Sequence, residues 1–180
     1  NVFVGEELNN KVFGIYGFGR IGKAVAKRAL AFGLKVIFYH PKSLILEPEF
    51  QGIVKQVEFE ELLKESDYLS LHVPLTEKTR RSISEKEFSK MDKKPVLINM
   101  ALGYVVSTQA LVKALDTNQI RGAVLDVTDP EPLPSNHPLL NKSNCLITPH
   151  IGTSTLECRY NKAKISAENL LNHFSEHNRC

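Results

Sequence analysis

The stretch Val12-Phe-Gly-Ile-Tyr-Gly-Phe-Gly-Arg-Ile-Gly22 joins a short apolar run to three closely spaced glycines. The run from Val12 to Tyr16 has the length and apolar character of a buried strand. The glycines that follow match the pattern G-x-G-x-x-G, which is typical of a tight turn between a strand and a helix. We therefore expect the chain to pass here from a strand, through a tight turn, into a helix.

The positions of these glycines predict a phosphate-binding role for the turn. Gly17 permits the turn, Gly19 lets a pyrophosphate approach the backbone, and Gly22 lets the helix pack against the strand. The first amides of the helix, at Arg20, Ile21 and Gly22, then face the anion. A purely structural glycine turn is the alternative, because the pattern also occurs by chance.

The sequence after the turn favours nucleotide binding over that alternative. Apolar residues recur at nearly helical spacing between Arg20 and Phe32, and Gly33 is a natural helix stop. The run Lys35-Val-Ile-Phe-Tyr39 predicts a second strand. Together these segments form a β-α-β unit of the size that the motif requires.

Strands and helices alternate along the rest of the chain. We predict strands at 55–57, 68–72, 95–99, 122–126 and 145–148, and helices at 58–65, 84–91, from 107 or 108 to 115, and 153–174. Ser84 and Glu87 have the spacing of a capping box for the second of these helices. The order predicts an α/β protein with a Rossmann-type doubly wound parallel sheet and helices on both faces, in one domain covering 1–180.

Composition excludes several classes of function. The chain has 180 residues and a formal charge of +3, and its 23 basic residues are scattered among 20 acidic ones, so no nucleic-acid partner is expected. No apolar run is long enough for a membrane span, and no signal peptide is visible. The three cysteines lack C-x-x-C spacing, so we expect neither a metal site nor disulfides, and a cytoplasmic location.

Ligands of a doubly wound sheet bind beyond the carboxyl ends of its strands. Residues directly after the predicted strands are therefore candidates for function. They are His40, the segments 72–74, 99–103 and 126–131, and the segment 149–152.

Five motifs in the expected order make the chain resemble the NAD(P)-binding domain of the D-isomer-specific 2-hydroxyacid dehydrogenases. Nearly the whole chain is covered, and the stretch from Asp126 to Leu140 is especially similar to glyoxylate and hydroxypyruvate reductases. The motifs are Gly17-Phe-Gly-Arg-Ile-Gly22, Leu71-His-Val-Pro-Leu-Thr76, Ile98-Asn-Met-Ala-Leu-Gly-Tyr-Val-Val106, Leu125-Asp-Val-Thr-Asp-Pro-Glu-Pro132 and Thr148-Pro-His-Ile-Gly152.

This resemblance implies a catalytic role for His150, with Glu131 as its carboxylate partner. In the family, the histidine gives a proton to the keto oxygen of a 2-keto acid while the nicotinamide gives hydride to the carbon. Imidazole suits this role because it titrates near neutral pH. The alternatives are a histidine that closes a strand and a solvated loop acid. Asp126 corresponds to the family aspartate on the nicotinamide side, or else it caps the following loop.

The family arginine that holds the substrate carboxylate is missing, because Ala-Arg-Gly is replaced by Ala101-Leu102-Gly103. Leucine cannot form a bidentate contact with a carboxylate. Loss of a charged partner in a desolvated site costs on the order of 2 to 5 kcal/mol, which is roughly 30-fold to several thousand-fold in binding. A second, smaller departure is Ser107, where the family often has an acid. Turnover of ordinary 2-keto acids is therefore in doubt.

The cofactor preference depends on the end of the second strand. An Asp there would accept hydrogen bonds from the adenosine ribose, but this chain has His40, 18 positions after Gly22, followed by Lys42 and Ser43. Without an acid that repels a 2′-phosphate, we expect NADP to be preferred over NAD, although Lys42 could equally be a plain surface lysine. Further cofactor contacts are predicted at Val73, Pro74, Asn99, Ala101 and Gly152.

The family's second, substrate-binding domain is not expected within these residues, and we expect the chain to be a domain of a longer protein. The resemblance also implies a homodimer. Three interpretations stay open: an active reductase whose substrate is held by something other than Leu102, a non-enzymatic nucleotide sensor or interaction protein like the family's corepressor relatives, and a decayed copy that binds no nucleotide.

Overall fold

The computed structural model describes residues 5–177, and side-chain exposure as far as residue 175. The chain divides into two compact units, Asn1–Thr148 and Pro149–Cys180. Whether the whole chain folds as one domain stays a prediction. No helix among the described residues is long and apolar enough to cross a membrane.

The described residues of the first unit, 5–148, form seven strands and four α-helices, close to their predicted positions. The strands are β1 (Val12–Tyr16), β2 (Lys35–Tyr39), β3 (Val54–Gln56), β4 (Tyr68–Leu71), β5 (Val96–Asn99), β6 (Gly122–Leu125) and β7 (Cys145–Ile147). The helices are α1 (Arg20–Ala31), α2 (Phe59–Glu65), α3 (Glu85–Phe88) and α4 (Thr108–Asp116). Three short 3-10 helices at Pro48–Phe50, Gly103–Val105 and Pro138–Asn141 were not predicted.

The strands form one parallel sheet in the order β3-β2-β1-β4-β5-β6-β7, which confirms the predicted fold class. From β1 the chain proceeds to β2 and β3 on one side, and then crosses to β4 on the other. The order therefore reverses between β1 and β4. Ligand sites of doubly wound sheets form at this reversal, beyond the carboxyl ends of the strands.

Two buried clusters cover the two faces of the sheet, because alternate strand residues point to opposite sides. On one face, Ile15 and Phe38 pack with Ala26 of α1. On the other face, Leu69 and Leu97 pack with side chains of α2, α3 and α4. Helices on both faces follow from this alternation.

The helix starts show how local sequence defines the element boundaries. The predicted capping box is present: Ser84 N donates to Glu87 Oε2 at 3.0 Å, and the Ser84 side chain accepts from the backbone of Glu87. Ser84 Oγ also donates to Glu87 Oε2 at 2.6 Å. At α4 the cap is Ser107, whose Oγ accepts from Ala110 N at 3.5 Å, so Thr108 is the first helical residue. The helix α3 is shorter than predicted and ends at Phe88.

The second unit contains the long helix α5 (Leu156–His177), which begins three residues later than predicted. Its larger apolar side chains are exposed, among them Leu156, Tyr160, Leu170 and Phe174. Before the helix, Ser154 N donates to Ile151 O at 3.0 Å. Ser154 Oγ also accepts from Arg159 Nη2 at 3.2 Å.

Candidate functional site

The glycine turn after β1 adopts a conformation that only glycine tolerates well at its first position. Gly17 has φ +99°, and a Cβ there would lie 2.5 Å from the carbonyl oxygen of His72. A Cβ on Gly22 would lie 2.2 Å from the carbonyl oxygen of Gly17. These two glycines are therefore required by close backbone packing, which matches their predicted structural roles.

Gly19 differs from them because no atom lies within 4 Å of the position that its Cβ would take. It is the N-cap of α1 and brings no capping side chain, and the first turn of the helix has no acidic residue. The amides of Arg20, Ile21 and Gly22 belong to this uncapped turn, where the helix dipole favours an anion. The open space and the uncapped amides suit a dinucleotide pyrophosphate.

The end of β4 lies beside this turn. His72 N donates to Tyr16 O at 2.7 Å, and the His72 ring nitrogen Nε2 lies 2.8 Å from Ser70 Oγ. Burial lowers the pKa of His72 from 6.5 to about 4, so the ring is neutral at physiological pH. Val73 is buried and Pro74 is exposed directly after this strand, at the carboxyl edge as predicted.

A polar cavity of about 430 Å³ lies at the end of β2, and both His40 and Lys42 line it. Lys42 N donates to His40 Nδ1 at 3.2 Å, which holds the ring against its own loop. Glu58 and Glu61 line the same cavity. Glu61 is paired with Lys55, whose Nζ lies 2.6 Å from the carboxylate.

Sequence reasoning missed three residues of this cavity, Gln56, Glu58 and Glu61. Gln56 Nε2 donates to the carbonyl oxygens of His40 and Lys42, at 3.1 and 2.9 Å, and its Oε1 accepts from Leu44 N at 3.1 Å. This amide fixes the loop after β2. The signal was absent from the local sequence, because the partners are brought together only by the pairing of β2 with β3.

The loop after β5 is held by a buried amide. Asn99 is 1% exposed, its Nδ2 donates to Leu102 O at 3.0 Å, and its Oδ1 accepts from Ala101 N at 3.1 Å. Asn99 O also accepts from Asp126 N at 3.0 Å. Asn99 and Ala101 thus shape the loop, and a direct contact with cofactor stays a prediction for both.

Gly103 packs this loop against the segment that carries Glu131. A Cβ on Gly103 would lie 2.0 Å from the carbonyl oxygen of Thr128, so no other residue fits without backbone movement. Thr128 N donates to Glu131 Oε2 at 3.3 Å, and Thr128 Oγ1 donates to Pro130 O at 2.8 Å. Leu102 and Glu131 therefore belong to two loops that are in direct backbone contact.

Asp126 follows β6 and is 5% exposed. Its Oδ1 accepts from Thr148 Oγ1 at 2.6 Å, which ties the ends of β6 and β7 together. Its position beyond the carboxyl end of a strand suits a cofactor contact. The bond to Thr148 also supports the alternative, structural role.

His150 and Gly152 belong to the second unit. His150 has φ +53°, in the left-handed region that is uncommon for a residue other than glycine. Both residues take part in further interactions. The pairing of His150 with Glu131 joins residues of different units and stays a prediction.

The fold and the glycine turn define a nucleotide-binding domain of the doubly wound α/β class. Residues 1–152 match the profile of the D-isomer specific 2-hydroxyacid dehydrogenase, NAD binding domain, and the chain belongs to this family.

Individual relatives agree with the family match. A glyoxylate reductase of Thermococcus litoralis is 47% identical over 172 residues, which are 94% of this chain and 51% of the relative. The crystal structure of a glyoxylate reductase from Paecilomyes thermophila is 39% identical, with a TM-score of 0.86, covering 93% of this chain and 50% of that one. A D-isomer specific 2-hydroxyacid dehydrogenase from Lactobacillus delbrueckii ssp. bulgaricus in its NAD complexed form is 34% identical, with a TM-score of 0.84, covering 96% and 55%.

The chain spans about half the length of the curated relatives that it matches. Reduction of a substrate by these relatives is an activity of the longer proteins. Among the residues described for this chain, no group of His, Cys, Asp or Glu side chains has the arrangement of a metal site.

Proposed function

We propose that this chain is the cofactor-binding domain of an NAD(P)-dependent oxidoreductase that reduces a carbonyl compound, similar to glyoxylate and hydroxypyruvate reductases. The observation that carries the proposal is the open cradle at Gly19, beside the uncapped first turn of α1 and at the point where the strand order reverses. When bound, the reduced nicotinamide supplies a hydride to the carbonyl carbon.

In the proposed reaction His150 gives a proton to the carbonyl oxygen, and Glu131 is the carboxylate that stabilises its imidazolium. A carboxylate partner also selects the imidazole tautomer, which prepares the ring for proton transfer. The hydrogen bond from Thr128 N to the Glu131 carboxylate holds this side chain against its own loop. Asp126 is proposed as the contact on the nicotinamide side of the cofactor.

For the adenosine half, we propose His40 and Lys42 as the residues that admit a ribose 2′-phosphate and favour NADP over NAD. Lys42 contributes a positive charge to the cavity after β2, and no Asp stands at the strand end to repel the phosphate. Glu58 and Glu61 oppose this preference, but Lys55 neutralises part of their charge. The expected preference is therefore moderate in size.

The family resemblance predicts a small 2-keto acid as substrate, a homodimer and a cytoplasmic location. Leu102 argues against this substrate, because it stands at the position where the family has the arginine that binds the substrate carboxylate. Sedimentation equilibrium of the purified chain tests the homodimer, which predicts twice the chain mass of 20.2 kDa.

The decisive experiment is a calorimetric titration of the purified chain with NADPH and with NADH. Saturable binding that is tighter for NADPH is the expected result, and absence of binding to both would contradict the proposal.

Replacing His40 by Asp tests the proposed preference. We expect the H40D variant to bind NADH more tightly than NADPH, because the new carboxylate repels the 2′-phosphate and accepts from the ribose hydroxyls. The same substitution at His137, where the imidazole Nδ1 accepts from Leu139 N, is the matched control. An affinity ratio that is the same in H40D and in the original chain would rule out a role of position 40.

The second candidate function is a catalytically inactive nucleotide sensor or interaction protein, and Leu102 favours it. This candidate predicts cofactor binding without turnover in the longer protein. If the L102R variant of that protein gains 2-keto acid reduction, then the missing arginine is the main loss. If it stays inactive, the sensor function is favoured.

A further inference from the structure

The loop after β5 presents apolar side chains at the carboxyl edge of the sheet. Met100, Leu102 and Tyr104 are 44%, 38% and 43% exposed. Single exposed apolar residues are common on protein surfaces, but three at alternate positions of one loop make an apolar patch. This patch occupies the family position at which a charged arginine would hold the carboxylate of the substrate.

The backbone of this loop is held in place by buried contacts. Asn99 holds the loop through Ala101 N and Leu102 O, and Gly103 packs against the backbone at Thr128. A different loop conformation would break these buried contacts. The side chain at position 102 is therefore presented in a defined place, as an arginine would be.

The charges around the patch disfavour an anionic ligand. Asp126, Asp129 and Glu131 all lie in the neighbouring segment after β6, which contacts Gly103. Two arginines border the same loop. The guanidinium carbon of Arg80 lies 4.9 Å from the centre of the Tyr104 ring, a cation–π arrangement, and Arg81, whose N donates to Tyr104 O at 2.8 Å, lines a cavity with Asp129. A substrate carboxylate beside Leu102 would lie near these acidic side chains, and it would lack the arginine partner that the family has at this position.

We propose that the substrate of this site is a neutral carbonyl compound, in which an apolar group takes the place of the carboxylate of a 2-keto acid. The inference rests on the proposed function, because it names the substrate class of the same site. Leu102 is the specificity-determining residue, and an apolar substituent packed on it avoids the desolvation of an unpaired carboxylate. The Arg80–Tyr104 pair borders the patch.

The test compares pyruvate with its neutral ester methyl pyruvate, since both keep the reactive keto group. The longer protein that contains this chain is first titrated with NADP⁺, and the cofactor-loaded protein is then titrated with each compound by calorimetry. The oxidised cofactor prevents turnover during the measurement. A protein that fails to bind cofactor contradicts the proposed function, whereas a protein that binds cofactor allows the substrate class to be tested separately.

We expect methyl pyruvate to bind at least 10-fold more tightly than pyruvate. The L102R variant should change the ratio in favour of pyruvate by roughly 30-fold or more, because a bidentate carboxylate partner is restored. The L102M variant is the control, and it should keep the preference for the ester. Position 102 is partly exposed, so these substitutions leave the core intact.

Two results would overturn the inference. The first is a cofactor-loaded protein that binds pyruvate as well as methyl pyruvate, or that binds no methyl pyruvate. The second is tight pyruvate binding that is lost in the R80Q or the R81Q variant, which would show that one of these arginines has replaced the missing one.

Discussion

At the scale of single residues, the glycines of the first turn separate into two positions fixed by backbone packing and one that faces open space. Gly17 and Gly22 are required by backbone contacts, while Gly19 faces open space. Sequence spacing assigned all three to one motif. Of these three glycines, only Gly19 has room for a side chain.

We therefore expect the G19A variant to lose no more than about 1 kcal/mol of stability, because alanine is a poorer N-cap than glycine, and to lose at least 10-fold in dinucleotide affinity. The added methyl group fills the space that the pyrophosphate needs, and no protein atom lies within 4 Å of it. Thermal unfolding and calorimetric titration measure the two quantities. Gly5, which also has no atom within 4 Å of its Cβ position, provides the control G5A. Unchanged affinity in G19A would contradict a phosphate site at this turn.

His72 makes a separate prediction about stability and pH. Burial lowers its pKa from 6.5 to about 4, so between these pH values the unfolded chain binds a proton that the folded chain does not. Stability contributed by the neutral ring is complete above pH 6.5 and is lost as the pH falls toward 4. Between pH 7.5 and 4.5 this loss is roughly 2.5 kcal/mol.

Urea unfolding of the original chain and of H72Q at both pH values measures this loss. Gln keeps a polar partner for Ser70 Oγ but does not titrate. All other titrating groups are common to both proteins. Between the two pH values, H72Q should therefore lose about 2.5 kcal/mol less stability than the original chain. Equal losses in the two proteins would show that the His72 ring is protonated at low pH without cost.

At the scale of elements, the loops after β5 and β6 act as one assembly. Gly103 allows the backbone at Thr128 to approach, Asn99 shapes the first loop, and Thr128 holds Glu131 in the second. The Ala-Leu-Gly triplet in the sequence showed the departure at Leu102. It did not show that the glycine beside it sets the contact between the loops.

Replacing Gly103 by Ala should destabilise the first unit by about 1–3 kcal/mol, because its Cβ would lie 2.0 Å from a main-chain oxygen. The free energy of urea unfolding measures the change. G122A is the graded control, since its Cβ would lie 3.1 Å from Asn144 O and requires only a small shift. Similar stabilities of G103A and G122A would contradict close packing of the two loops.

At the scale of the whole molecule, ligand binding and folding are linked. A cofactor that binds only the folded chain stabilises it, by about 2.7 kcal/mol when its free concentration is 100 times its dissociation constant. We expect NADPH to raise the unfolding free energy of the original chain by that amount. At the same NADPH concentration the G19A variant should show a smaller rise. An equal rise in both proteins would indicate binding away from the glycine turn.

The sequence alone determined the order of strands and helices along the chain, the doubly wound class and the glycine turn after the first strand. These features depend on local patterns: apolar runs that set the strands, cap residues such as Ser84 and Ser107, and the spacing of three glycines. Each pattern acts over a few residues, so it can be read without knowing the neighbours in space.

Only the tertiary structure decided what surrounds each candidate residue. It placed Gln56, Glu58 and Glu61 around the loop of His40, and it packed Gly103 against the loop of Glu131. It also buried the His72 ring, which lowers its pKa. The contacts of Gln56 and Gly103 join residues that are 12 or more positions apart in the sequence. They arise from the pairing of parallel strands, whose partners local sequence does not specify.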